Sequence, residues 1–102
     1  MKFINLTPHD IVLNDGTVYH SSGVARLTDT YSDFDADRIC SVTYGGITNL
    51  PLPEPGIRYI VSSMVLTAGK AMGRTDLVAP ATGHPECKRQ NGEIISVPGF
   101  II

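Results

Sequence analysis

The segment from Tyr59 to Pro80, YIVSSMVLTAGKAMGRTDLVAP, constrains this chain most. Tyr59-Ile60-Val61 reads as a short buried strand. Ser62 or Ser63 can cap a helix with its hydroxyl. Met64, Val65, Ala68, Ala71 and Met72 fall on one face at helical spacing. Gly69 weakens that helix, and Gly73 stands where a glycine commonly ends one. The signals predict a helix over Ser63 to Met72. Asp76 to Ala79 then reads as a second strand. Strand, helix and strand in so few residues predict a compact βαβ crossover. Such a unit places the free N–H groups of a helix N-terminus directly after a strand, where an anion such as phosphate can bind.

The rest of the chain reads as β. Asn14-Asp15-Gly16 sits between β-branched runs in IVLNDGTVYH and predicts a hairpin. Val24 to Tyr31 alternates apolar and polar residues as a half-buried strand does. Ile39 to Tyr44 resumes a strand pattern, which Gly45-Gly46 is expected to break. Leu50 to Gly56 carries three of the seven prolines and predicts an extended, exposed connector. Gln90-Asn91-Gly92-Glu93 is a second tight turn, leading into the strand pattern IISV. The expected fold class is α+β: a small β-rich domain of mostly antiparallel strands with one principal helix, residues 1–102 forming a single domain.

At 42% hydrophobic and 18% charged, a chain of 102 residues can bury a modest core. Self-association would hide more surface, so a homo-oligomer is expected. The apolar tail Phe100-Ile101-Ile102 is expected to be buried, at a subunit interface or as an added strand. The net charge of −2 gives no general basic field, which argues against duplex nucleic acid as a partner. No apolar run reaches membrane-spanning length, so no membrane partner is expected. MKFINLTPHD lacks the apolar stretch of a signal peptide. Cys40 and Cys87 form no CxxC pattern. Two cysteines are too few for a disulfide framework and favour the cytoplasm, with one long-range disulfide left open.

Few constellations could carry chemistry. The Ser62-Ser63 turn is either an anion site or simply a cap. Arg74 could grip a phosphate in bidentate fashion, or complement the helix C-terminus and pair with Asp76. Thr-x-His occurs twice, as Thr7-Pro8-His9 and Thr82-Gly83-His84. Two-histidine phosphoesterases use the reverse order, and Pro8 and Gly83 suggest turns. His84 and Cys87 could be half of a zinc site, but Cys40, His9 and His20 are scattered. Asp33, Asp35 and Asp37 alternate like part of a calcium loop, without its glycine and terminal glutamate. No GxGxxG, Walker loop or GxSxG occurs, so no cofactor, metal or catalytic residue is assigned.

Taken together, INLTPHDIVL, Ser22-Gly23-Val24-Ala25-Arg26, LPLPEPG, YIVSSMVLTAG and RTDLVAP resemble a family of small phage and prophage proteins of similar length. The likeness spans nearly the whole chain. The setting implies an anti-defence role: small oligomeric phage proteins include sponges that sequester cyclic nucleotide or cyclic ADP-ribose-type immune signals. A sponge needs a concave site, arginines or hydroxyls for phosphate, and an aromatic or apolar wall for the base. On that reading a small-molecule nucleotide is the partner and its contacts are Thr7, His9, Arg26, Ser62, Ser63 and Arg74. The alternatives are a phosphodiesterase using His9 and His84, and a virion or inhibitor protein with no small-molecule site.

Overall fold

A computed structural model describes residues 1–102. In chain order its elements are β1 (Lys2–Asn5), β2 (Ile11–Val12), β3 (Val18–Tyr19), β4 (Arg26–Tyr31), β5 (Val42–Thr48), β6 (Ile57–Ile60), α1 (Ser63–Ala71), β7 (Leu77–Pro80), β8 (Lys88–Gln90), β9 (Glu93–Ser96) and β10 (Phe100–Ile101). Four strands make the central sheet, in the order β1-β6-β7-β10. β1, β6 and β7 run parallel, and β10 joins β7 antiparallel. The other six strands form three antiparallel hairpins. Two hairpins are inserted between β1 and β6, and the third between β7 and β10. With mostly antiparallel pairings and a single helix, the chain is the small α+β protein its pattern predicts.

The β6–α1–β7 crossover forms as expected. The Ser62 hydroxyl accepts a hydrogen bond from Val65 N–H at 3.3 Å. At the other end Gly73 adopts φ +88°, its N–H donates to Lys70 O, and Arg74 N–H donates to Gly69 O. That pair of bonds is a Schellman cap, and it requires the left-handed glycine. The buried face of α1 is a correction to the expected one. Val65, Leu66 and Gly69 are buried, whereas Met64, Ala71 and Met72 are exposed. Gly69 is the reason the helix can lie so close to the sheet: a Cβ there would run into Leu77 Cδ1.

The two faces of the sheet are filled by the alternation of strand side chains. Tyr59, Val61, Leu77 and Ala79 pack under α1 with Val65, Leu66, Leu6 and Ala25. Ile60 and Val78, equally buried, point the other way. On that side Phe3 stacks on Phe100 with ring centroids 5.2 Å apart, and Tyr19 meets both edge-on. The tail is thus an added strand whose Phe100 closes the second face, while Ile101 and Ile102 remain exposed.

Gly45-Gly46 does not end its strand, and this too is a correction: β5 starts at Val42 and runs through both glycines to Thr48. The register slips between Leu27 and Asp29, and the Thr28 hydroxyl donates to Gly46 O at 3.0 Å. A Cβ on Gly45 would lie 2.5 Å from the Thr28 oxygen, so the glycine lets the two strands close over that irregularity. The Leu50–Gly56 stretch contains no strand or helix, as expected. Cys40 and Cys87 are not bonded to each other. No helix is long and apolar enough to cross a membrane.

Candidate functional site

Because β1, β6 and β7 are parallel, their carboxyl ends share one edge of the sheet. Three segments leave that edge: the Leu6–Asp10 loop, the cap and first turn of α1, and the stretch after Pro80. Open sheets with parallel strands place ligands at such an edge.

The Leu6–Asp10 loop is built on a buried amide. Asn5 Nδ2 donates to His9 O and to Tyr19 O, both at 2.8 Å. Asn5 Oδ1 accepts from Thr7 N–H at 2.9 Å and from the Thr7 hydroxyl at 2.6 Å. All four hydrogen-bonding positions of the amide are used. The loop is fastened further by Ser21, whose hydroxyl donates to Thr7 O at 2.6 Å and whose N–H donates to Asp10 Oδ1 at 2.9 Å. That N–H is the main reason the Asp10 carboxyl is held below its ordinary pKa, with His20 adding to it. Thr7 therefore spends its hydroxyl proton inside the loop. The His9 ring makes no hydrogen bond within the chain and is exposed.

The α1 N-terminus stands beside this loop. The first-turn amides of Ser63 and Met64 have no intrahelical partner. The Ser62 hydroxyl accepts from Val65 N–H and keeps its own proton to give. No acidic residue occupies the first turn.

Two clefts adjoin here and share Thr7, Pro8 and Ser62. The first, about 450 Å³, adds His9, Asp10, Ser63, Thr82 and an apolar wall from the third hairpin and β2, with Ile94, Ile95 and Ile11. The second, about 580 Å³, is bounded by Arg26, Tyr31, Tyr44 and Met64. Arg26 forms no ion pair, so its guanidinium is uncommitted, although Asp29 lines the same cleft. Tyr31 hydroxyl donates to Asp29 Oδ2 at 3.3 Å, and the Asp29 charge raises the Tyr31 pKa.

Five of the six residues singled out from sequence thus border one neighbourhood: Thr7, His9, Arg26, Ser62 and Ser63. Arg74 lies apart, past the C-terminus of α1. Its Nε and Nη2 donate to the two Asp76 carboxylate oxygens at 2.9 and 2.8 Å, and Nη2 also donates to Pro51 O at 2.9 Å. Both side chains of this pair are mostly buried. Arg74 clamps the proline-rich connector onto the sheet and has no donor fork left for a ligand.

His84 does not line either cleft; its Nδ1 accepts from Glu86 N–H at 3.0 Å. No three of the His, Cys, Asp and Glu side chains converge as metal ligands. Sequence reasoning missed Tyr31, Thr82 and the Ile94-Ile95 wall. Thr82 carried a usable signal, since it follows the second strand of the crossover just as Ser62 follows the first. The isoleucine wall carried none, because its place depends on Val97 N–H donating to Val12 O and on the hydrogen bond between the Ser96 and Asn14 side chains.

Comparison with protein-family models, with characterised proteins and with solved structures finds no match.

Proposed function

We propose that this chain is a phage-type protein that binds a nucleotide-derived immune signal, of the cyclic nucleotide or cyclic ADP-ribose class, and sequesters it uncleaved in the host cytosol. One observation carries the reading: an α-helix N-terminus with no acidic first-turn residue opens between two clefts at the carboxyl edge of parallel strands, with an unpaired arginine on the rim. Two first-turn amides and the Ser62 and Ser63 hydroxyls suit a phosphate there. Arg26 suits a second phosphate oxygen or a second phosphate. The tyrosines of one cleft and the isoleucines of the other suit a base or ribose. Thr7 shapes the site through its loop, His9 offers one more donor, and Arg74 is left out of it.

Sequestration fits better than cleavage because of the histidines. General acid–base cleavage of a phosphodiester by a histidine pair needs both rings at the reacting atoms. His9 borders the cleft, but His84 lies outside it with Nδ1 engaged by the Glu86 amide.

The test is incubation with a panel of nucleotide signals, heat release of whatever is retained, and chromatography of the released material. The intact ligand is expected back. An altered product identifies the enzyme instead, and no retention overturns the proposal. With a retained ligand in hand, calorimetry on Arg26→Ala should show affinity reduced by about tenfold or more, one charge-assisted contact being worth about 1.5–3 kcal/mol.

A further inference from the structure

The β4–β5 hairpin is an arm that its own chain does not cover. A two-stranded hairpin is marginal in water unless a further layer packs on it. Here only the root is covered, where Leu27 and Ile47 pack against the core under α1. Further out, Tyr31 pairs with Val42 and Asp29 with Tyr44, which puts Tyr31, Val42 and Tyr44 on one face by the strand alternation. Tyr31 and Tyr44 each expose more than half their surface, as do Phe34 and Ile39 at the tip and Met64 beside the root. The apolar strip is continuous, since Leu27, Tyr44, Met64, Ala68 and Ala71 line one shallow cleft between arm and helix.

This exposure is not a consequence of disorder. The tip is braced: Asp35 Oδ1 accepts from Asp37 N–H at 2.8 Å and Ile39 N–H at 3.0 Å, and Asp35 N–H donates to Ile39 O at 2.9 Å. Arg38 lies over the Phe34 ring, 5.0 Å from its centroid. An ordered loop that presents aromatic and aliphatic side chains to water has the character of an interface anchor.

The magnitude of the exposed surface points to the occupant. The chain exposes 6805 Å². A compact monomer of 11.0 kDa would expose roughly 5,600 Å². The excess, roughly 1,200 Å², exceeds the roughly 800 Å² that each partner buries in a stable interface. The radius of gyration agrees: 15.8 Å, against about 13 Å for a compact chain of this length. Charge is arranged to match as well. The outer arm carries Asp29, Asp33, Asp35 and Asp37 against a single cation, Arg38, so it is acidic on balance, while Arg26 stands at its root and Lys70 on the adjoining helix. A two-fold pairing of antiparallel arms would bring each acidic tip to the basic root of the other copy.

We infer that a second copy of this chain packs on the Tyr31–Val42–Tyr44 face, forming a two-fold dimer of antiparallel arms that roofs the Arg26 cleft of each protomer. Roofing matters for ligand binding only if the proposed function holds, but association does not depend on it. The earlier expectation of an oligomer thereby acquires a surface, and that surface is the arm; the tail is spent as β10.

Sedimentation of the ligand-free full chain should show a concentration-dependent dimer. Val42→Lys places a charge on the face without disturbing the Arg26 side chain, and should shift the equilibrium toward monomer by about tenfold or more. Leu52→Lys, on the exposed connector, should leave it unchanged. In the unmodified protein, amides of residues 27–31 and 42–48 should exchange with deuterium more slowly at high protein concentration than at low. This second readout holds even if Val42→Lys folds poorly. A monomer at every concentration overturns the inference, and so does a dimer whose arm amides exchange at a rate independent of concentration. A dimer that retains no nucleotide overturns the functional proposal and leaves this one standing.

Discussion

At the scale of single residues, one buried amide and one mostly buried ion pair hold structure in a way that their side-chain chemistry alone does not reveal. Asn5 is the first. Its amide satisfies one backbone N–H, one hydroxyl and two carbonyls, and no bond is left for a ligand. Asn5→Leu removes the acceptor and both donors, leaving the buried Thr7 N–H and the part-buried carbonyls of His9 and Tyr19 without them, while the Thr7 hydroxyl can still donate to His9 O at 2.9 Å. Each orphaned group costs about 1–3 kcal/mol, so a loss of at least about 2 kcal/mol is expected from urea unfolding. The second is the Arg74–Asp76 pair. Hydrogen bonds from Arg74 are the main reason that the Asp76 carboxyl sits below its ordinary value of 3.8, and the same bonds raise the arginine. A carboxyl with a depressed native pKa binds fewer protons folded than unfolded near that pKa. Its contribution to stability is therefore full well above pH 3.8 and is lost as pH falls through the lower native value. Arg74→Ala should cost about 1.5–3 kcal/mol at neutral pH. The gap between variant and wild type should narrow in acid below that range, and ligand affinity should not change. An Arg74→Ala protein of normal stability that binds nucleotide weakly would restore Arg74 to the site.

At the scale of elements, α1 is governed by a conflict between propensity and packing. Glycine in a helix interior costs about 1 kcal/mol relative to alanine, yet Gly69 occupies a point of the helix with no room for a side chain, against Leu77 and Ile47. Packing wins there. Gly69→Val should displace α1 from β6 and β7 and cost about 1–3 kcal/mol by thermal or chemical unfolding, in spite of the removal of a helix-weakening residue. Since Ser62 and Ser63 ride on that helix, the same variant should also bind nucleotide less tightly. The element-level expectations failed for the same reason in two places. Met64 and Met72 are apolar at helical spacing, but the sheet covers only the Val65–Leu66–Gly69 side. Gly45-Gly46 looks like a break, but the glycines accommodate Thr28 of the neighbouring strand.

At the scale of the molecule, a small core holds a broad, flat body. Sixteen of 102 residues are buried, and the extents are 51 × 39 × 21 Å. With so little burial, each large contributor counts. Phe100 is the single large tail side chain that joins a core, through its contacts with Phe3 and Tyr19. Phe100→Ala should cost about 2 kcal/mol, less than a fully buried phenylalanine because the residue is only partly buried. Thermal unfolding checks the cost. Sedimentation should show association unchanged, because the tail is used within its own protomer.

The features legible in the sequence are those whose cause lies within a few residues. A serine cap, a left-handed glycine at Gly73, and the turns at Asp15-Gly16 and Asn91-Gly92 each have a local physical reason, and each appears where the pattern places it. The crossover from Tyr59 to Pro80 follows from these, and with it the exposed helix N-terminus. What only the tertiary structure decided is everything that depends on which distant segments meet. The parallel pairing of β1 with β6 brings Thr7 and His9 to Ser62, and no local signal in either strand announces it. Arg26 is drawn to the same neighbourhood by Ala25, whose N–H donates to Leu6 O. Arg74, equally basic and chemically just as suited to phosphate, is withdrawn because Asp76 and the Pro51 carbonyl reach it first. Local preference is set by short-range sterics and single hydrogen bonds, whereas a guanidinium's freedom depends on every group the fold brings within its reach.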